Sequence, residues 1–379
     1  MMGEAIVYDL LEHDDVRVIG FEINENIRNA MSVKFQTLGE RFTTQYLDLD
    51  LHIPVDENPL IEIFKELEIT TAFGAIDYKF NHYLTELCIL SGANYLDLGG
   101  NPDMVIKQRT LDQTAKENQV TIIPDLGLAP GMANVVAYHM MQHFDKVEEC
   151  HIRVGGLPQP RFKKSILNYQ QVFSIRGLTN EYLEEAIVIR NGKITRVESM
   201  TEVEELAFPE PFGTLEAFQT AGGTSSLPLL FENRISELTY KTIRYPGHSI
   251  FFKFLKDFEL LISDPYPRND RVNVREVVEF YLQKNLPKGD PDAVLVRIQV
   301  IGVSNNLPKE VTYQLIDLAD EVTGFSAMAR TTSFPISIIG QMINNGIIQD
   351  KGVVMGEAVT PEKEFMNELR KRNIVFEIN

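Results

Sequence analysis

The sequence predicts an α/β fold: a doubly wound parallel sheet of the dinucleotide-binding (Rossmann) kind, followed by an α+β domain with a mixed or antiparallel sheet. Two observations carry this. In the first third of the chain, short apolar runs rich in β-branched residues alternate with helical patterns of roughly 10–15 residues, the mark of right-handed βαβ crossovers. After Pro130 that alternation stops, and apolar runs joined by hairpin signals replace it.

Taken in order, residues 4–13 place Ile6, Val7, Leu10 and Leu11 on one helical stripe. Residues 16–21 form a nearly continuous apolar run, as a buried parallel strand requires. Helices over 25–33, 59–67, 80–90 and 111–118 then alternate with strands over 44–49, 69–76, 94–98 and 120–126. A helix over 131–144 leads to a strand over 147–155. Strands over 186–190 and 194–198 flank Asn191-Gly192, whose two positions both tolerate positive φ, the strongest local hairpin signal. Further strands are expected over 215–220, 236–244, 293–303 and 310–317, the last two across a loop with Asn305, Asn306 and Pro308. A helix over 273–286 should bury Val274, Val277, Val278, Tyr281 and Leu282. Helices return over 333–345 and 360–373, with Thr360 at N-cap and Pro361 at N1. The expected division is a nucleotide-binding domain over 1–131, an α+β substrate domain over 132–324, and a helical return over 325–379 that packs on the first domain.

Composition narrows the function class. Thirty-six Lys and Arg stand against 54 Asp and Glu, for a net charge of −18, which disfavours a phosphate backbone as partner. No apolar run approaches the roughly 18–20 residues of a membrane span. Two cysteines, Cys88 and Cys150, show no metal or redox spacing, and Met1-Met2-Gly3-Glu4-Ala5 does not read as a secretory signal, so a cytoplasmic protein is expected. No Gly-x-Ser-x-Gly elbow, Walker A, His-Glu-x-x-His or Cys-x-x-Cys occurs.

Ligands of open α/β sheets bind beyond the carboxyl ends of strands. The front of the chain, Met1-Met2-Gly3-Glu4-Ala5-Ile6, resembles the tail of a Gly-x-Gly-x-x-Gly turn with Gly3 as its third glycine. The preceding strand and first two glycines are expected to be missing. Glu22, about 20 residues on at the end of a strand, suits the ribose hydroxyls of NAD and repels a 2′-phosphate, which makes NADP the less favoured cofactor. Asp48 ends the following strand, near the adenine position. Three turns follow: 75–81, with Ala75, Tyr78, Lys79 and Asn81; 96–101, with Asp97, Leu98 and Gly99; and 124–134, with Asp125, Leu128, Met132 and Asn134. A fourth cluster, 242–248, holds Arg244 and His248. Arg244 offers a fork for a substrate carboxylate, with a structural ion pair as the alternative. His248 can move a proton or serve as a core histidine. Asp97 and Asp125 can act as bases, bind an ammonium, or cap the next element. Lys79 reads as a solvated turn lysine and Cys88 as core.

These stretches resemble the saccharopine dehydrogenase-like superfamily, and within it the lysine 6-dehydrogenase branch. The resemblance rests on Tyr78-Lys79-Phe80-Asn81, Tyr95-Leu96-Asp97-Leu98-Gly99-Gly100-Asn101 and the run from Ile123 to Met132. It continues through Val154-Gly155-Gly156-Leu157-Pro158, Asn180-Glu181-Tyr182, Ile189-Arg190-Asn191-Gly192-Lys193, Glu216-Ala217-Phe218 and the run from Leu238 to His248. It implies an NAD(P)-dependent oxidoreductase that acts on a C–N bond of an amino acid, commonly as a homodimer. For the lysine branch this means oxidation of the side-chain amine to an imine, which hydrolyses to 2-aminoadipate 6-semialdehyde and ammonia. The roles it implies are substrate binding by Arg244, Asn134 and Tyr78, and proton handling by Asp125, His248 and Asp97. The cofactor would lie against Gly3, Glu22, Asp48, Ala75, Asn81, Leu98, Gly99, Leu128 and Met132, with no metal. Ala129 stands where saccharopine reductases carry an aspartate, which favours lysine or another simple amine. A saccharopine or carboxynorspermidine-type dehydrogenase would need a second cation, for which Lys163, Lys164 and Arg176 are candidates. A truncated, non-catalytic homologue is the alternative of another class.

Overall fold

The alternation of strand and helix in the first third of the chain is present in a computed structural model, which describes residues 1–13, 15–266 and 269–378. The opening elements are α1 (Met2–His13), β1 (Val18–Glu22), α2 (Glu25–Lys34), β2 (Phe42–Tyr46), α3 (Leu60–Glu66), β3 (Thr71–Gly74), α4 (Asn81–Ser91) and β4 (Asn94–Asp97). Then come α5 (Pro102–Arg109), α6 (Asp112–Glu117), β5 (Thr121–Ile123), α7 (Met132–Gln142) and β6 (Lys146–Pro158). The middle of the chain forms α8 (Ile175–Leu183), β7 (Ala186–Arg190), β8 (Lys193–Val197), β9 (Glu204–Phe208), β10 (Gly213–Gln219), α9 (Leu227–Phe231), β11 (Glu237–Arg244) and α10 (His248–Asp257). Next are β12 (Pro265–Tyr266), β13 (Asn269–Asn273), α11 (Val274–Asn285), β14 (Asp292–Ser304) and β15 (Leu307–Leu318). The chain closes with α12 (Ala327–Asn344), β16 (Gly352–Val353), α13 (Gly356–Val359), α14 (Glu362–Lys371) and β17 (Glu377–Ile378). Two units result, Met1–Met132 with Thr332–Asn373, and Ala133–Thr331 with Ile374–Asn379.

In the first unit every strand pairing is parallel. The sheet, however, comes in two pieces: β1 pairs with β2, and a separate four-stranded sheet runs β16-β5-β4-β3. In a dinucleotide-binding sheet one more strand joins the positions of β1 and β3; among the described residues no strand pairs with both. Val7 and Leu11 of α1 pack with Val18, Met31, Phe35 and Phe42 to anchor the two-stranded piece. Helix α2 starts where the Asn24 side chain accepts from the Asn26 and Ile27 amides, and α4 stops at Gly92, φ 78°. Asp9, fully buried on α1, takes two bonds from Arg372, 2.5 and 3.0 Å, and one from Gln341 of α12.

The second unit is built on a nine-stranded mixed sheet with main order β17-β15-β14-β6-β11-β10-β9 and β7–β8 branching from β11. Only β6–β11 is parallel. The Asn191-Gly192 turn closes β7 and β8 at φ 50° and 80°. Between β14 and β15 the expected loop is instead a two-residue turn, with Asn305 and Asn306 at φ 53° and 62° and Ser304 opposite Leu307. Two other expectations are corrected. On α11, Val277 and Tyr281 are 44 % and 55 % exposed, and Arg275 is buried instead because Glu279, Thr179 and Asn180 bind its guanidinium. At α14 the N-cap is Pro361 with no side-chain cap, since Thr360 already closes the short α13.

Candidate functional site

In the first unit the carboxyl ends of β1, β2, β3, β4 and β5 carry the predicted cofactor residues. Gly3 lies in the first turn of α1, whose leading amides have no acceptor within the helix, and a Cβ there would meet only the Ala75 Cβ at 3.6 Å. Glu22 ends β1, and its Oε1 accepts from the Asn24 amide at 2.8 Å. Asp48 and Ala75 are exposed beyond β2 and β3, and Tyr78 lies against Gly100. Three cofactor candidates face inward instead. Asn81, 2 % exposed, accepts from the Tyr95 hydroxyl; Leu128 and Met132 are 6 % and 0 % exposed. Their surroundings give them packing to do.

Asp97 and Asp125 come together at the ends of β4 and β5. Asp97 is fully buried, and its Oδ1 accepts from Gly99 N at 2.8 Å and Asp125 N at 3.3 Å, while Gln108 donates to Oδ2 at 2.7 Å. Burial pushes the Asp97 carboxyl up to about 6, against the pull of those three donors. Asp125 sits at φ 63°, and a Cβ on Gly99 would stand 2.1 Å from its Oδ1, so only glycine fits. The following turn closes on Gly131, φ 131°, whose Cβ would strike the Gly127 carbonyl at 2.1 Å.

In the second unit Arg244, at the end of β11, is 2 % exposed. Its Nε donates to the Tyr182 hydroxyl at 2.9 Å and its Nη1 to the Ile243 carbonyl at 2.9 Å, and the guanidinium lies over the Tyr169 ring at 5.1 Å. Among the described residues no carboxylate pairs with it. His248 opens α10, whose start is fixed by Glu216 accepting from Gly247 N and Ser249 N. The His248 Nδ1 faces the Leu167 carbonyl at 3.1 Å, so that nitrogen carries the proton, and Nε2 accepts from Tyr182 at 3.0 Å. Burial, with Arg244 nearby, depresses the imidazole to about 3. The neutral ring's lone pair is already occupied, so His248 holds Tyr182 in place. Asn134 is tied to the Gly223 carbonyl at 2.9 Å.

Two residues of this cluster were not among the predicted site residues, Tyr182 and Glu181 on α8. Glu181 is only partly buried as a whole residue, but its carboxyl end is enclosed. Burial pushes it up to about 7 while Arg244 pulls it down. The signal was Asn180-Glu181-Tyr182 itself, but Gly177 and Thr179 break the helical pattern that would have placed it. Of the three cations considered for a second carboxylate, Lys164 binds Asp290 and Arg176 binds Glu279, whereas Lys163 stands over the Tyr245 ring at 4.7 Å. Among the described residues there is no group of three or more His, Cys, Asp or Glu placed to hold a metal. No described helix is long and apolar enough to cross a membrane.

The family model "Saccharopine dehydrogenase C-terminal domain" matches residues 127–375. The chain is 20 % identical over 427 aligned positions to mitochondrial alpha-aminoadipic semialdehyde synthase of Bos taurus, covering 93 % of this chain and 44 % of that protein. It is 28 % identical over 166 positions to saccharopine dehydrogenase [NADP(+), L-glutamate-forming] of Pyricularia oryzae, covering 41 % of this chain and 36 % of that one. The chain thus spans less than half the length of these curated relatives. Apo saccharopine dehydrogenase (L-Glu forming) from Saccharomyces cerevisiae matches in structure with TM-score 0.80 at 18 % identity, over 100 % of this chain and 98 % of that one. Homospermidine synthase from Legionella pneumophila, in complex with NAD, matches with TM-score 0.67 at 12 % identity, over 100 % and 89 %. These likenesses establish the fold.

Proposed function

The chain belongs to the saccharopine dehydrogenase family through its C-terminal domain, and from that premise we propose that it is an NAD(P)-dependent oxidoreductase acting on a C–N bond of an amino acid. The observation that carries this reading is Arg244. A guanidinium held almost out of solvent, hydrogen-bonded only to neutral acceptors and with only the raised Glu181 carboxyl as a nearby acid, is costly unless an anion completes it. Its fork matches the carboxylate that every amino acid brings.

The residues of the first unit fit a dinucleotide. The amides of α1 around Gly3 suit a pyrophosphate, and the acidic Glu4 beside them is neutralised by Lys34 at 2.6 Å. The Glu22 carboxylate suits ribose hydroxyls and disfavours a 2′-phosphate, which supports NAD over NADP. The nicotinamide, when bound, accepts a hydride from the amine-bearing carbon. The protein's own part is to hold the substrate carboxylate on Arg244, with Tyr182 and His248 fixing that arginine. Glu181 is a carboxyl that holds or releases a proton near neutral pH. Asp97 and the Gly99 turn shape the ends of β4 and β5.

Two substrates satisfy this arrangement. Oxidative deamination of the lysine side-chain amine needs one carboxylate anchor and is supported by Ala129. Saccharopine, a larger secondary amine, needs a further cation, and Lys163, with no acid partner among the described residues, supports it. Nicotinamide reduction with each substrate, using NAD and NADP separately, tests the reading. Arg244→Gln is expected to raise KM about 10- to 100-fold for either substrate, and Lys163→Gln to raise it for saccharopine alone. Absence of turnover with both substrates and both cofactors would sink the proposal.

A further inference from the structure

Away from the cluster around Arg244, the large sheet places three cations side by side. Arg153 of β6 lies directly opposite Arg297 of β14 and beside Lys241 of β11, all on one face. Like charges in directly opposed cross-strand positions destabilise a sheet. Arg153 and Lys241 share one acid, Glu204, at 2.5 and 2.8 Å. Arg297 has none. Its Nε and Nη2 donate to the neutral Gln314 Oε1 at 3.1 and 2.6 Å, Nη2 also reaches the Ala207 carbonyl at 2.6 Å, and the guanidinium lies over the Phe208 ring at 4.4 Å. Burial pulls its pKa down from the ordinary arginine value. The Nη1 of Arg297 and the Nη2 of Arg153 have no hydrogen-bond partner among the described residues.

These groups open onto a cavity of about 360 Å³ lined by His151, Arg153, Glu204, Glu205, Arg297 and Gln299. His151 adds no acid to the balance. Its Nε2 meets Glu149 at 2.9 Å and its Nδ1 meets Thr239 at 2.8 Å. Glu204 is already committed to two of the three cations, and Glu205 lies on the exposed rim. Of the cations, Arg153 is 8 % exposed and Lys241 6 %, so water does little to screen them. We infer that this cavity binds a small oxyanion, a carboxylate or a phosphate, bridging Arg153 and Arg297. Such a ligand supplies the missing negative charge, and the remaining nitrogens, Arg153 Nη2 and Arg297 Nη1, each donate to one of its oxygens. This inference does not depend on the oxidoreductase reading, because it concerns a different face and requires no turnover.

Thermal unfolding of the full chain in inorganic phosphate, malonate and chloride at matched ionic strength tests it. Phosphate or malonate is expected to raise Tm beyond chloride, by roughly 5 °C at a hundredfold excess over Kd, and the stronger of the two identifies the preferred anion. Arg297→Gln should diminish that difference, leaving only what the α1 amides and Arg244 contribute, and Arg297→Lys, which keeps the charge, should diminish it less. Arg234→Gln, at an exposed arginine outside the cavity, should leave it intact. Equal responses to all three salts, or an undiminished oxyanion response in Arg297→Gln, would overturn the inference.

Discussion

Replacing His248 with glutamine isolates the electrostatics of the Arg244 cluster. The buried imidazole titrates near 3, far below its ordinary 6.5, because burial disfavours the imidazolium and Arg244 adds like-charge repulsion. A cation with a depressed folded-state pKa is protonated first in the unfolded chain. Its contribution to stability is therefore complete above 6.5 and declines as pH falls from 6.5 toward 3. Each pH unit in that window is worth about 1.4 kcal/mol, so on the order of 3 kcal/mol is lost by about pH 4.5. Asp97, Glu181 and Asp317, all raised by burial, titrate over part of the same range with the opposite sign. They are present in both proteins, so their effect cancels in the difference between wild type and His248→Gln. Urea unfolding of both at about pH 7 and about pH 4.5 reads that difference. The deficit of the variant at neutral pH should shrink by on the order of 3 kcal/mol in acid. A deficit unchanged within about 0.5 kcal/mol would refute the neutral, hydrogen-bonded ring.

Gly131→Ala should destabilise the first unit by about 3 kcal/mol or more, because the backbone is held at φ 131° and the new Cβ would strike the Gly127 carbonyl. Gly222→Ala, at φ 87° in open space, should cost only about 1 kcal/mol in the same denaturation assay. Arg372→Met leaves the fully buried Asp9 carboxylate without its cation and should cost about 3–5 kcal/mol; adding Asp9→Asn should recover part of that loss.

Local signals explain what could be read from the sequence. Apolar period gave the strands and helices of the first third, and Asn191-Gly192 gave its hairpin, because each depends on residues a few positions apart. Pattern failed where packing overrides it. On α11, Val274, Val278 and Leu282 are only half-buried and Val277 and Tyr281 are exposed, while Arg275 is drawn inward by Glu279, Thr179 and Asn180. Arg244 stood out as a carboxylate fork on chemistry alone. Tyr182 could not, since its role exists only where α8 meets the end of β11, 62 positions further along the chain.

That junction also couples carboxylate binding to a proton. Arg244 is the principal influence holding the Glu181 carboxyl down against the upward push of burial. A substrate carboxylate seated on Arg244 would cancel much of its charge, and the Glu181 pKa would then rise from about 7. Near neutral pH the carboxyl is about half protonated beforehand, so binding should take up as much as about half a proton. Calorimetric titration with lysine or saccharopine in buffers of different ionisation enthalpy measures that uptake directly. Glu181→Gln should bind the same ligand with no buffer dependence. Absence of any binding heat would count against Arg244 as the carboxylate anchor. Binding with no proton uptake in the wild-type protein would leave the anchor standing and refute the link to Glu181.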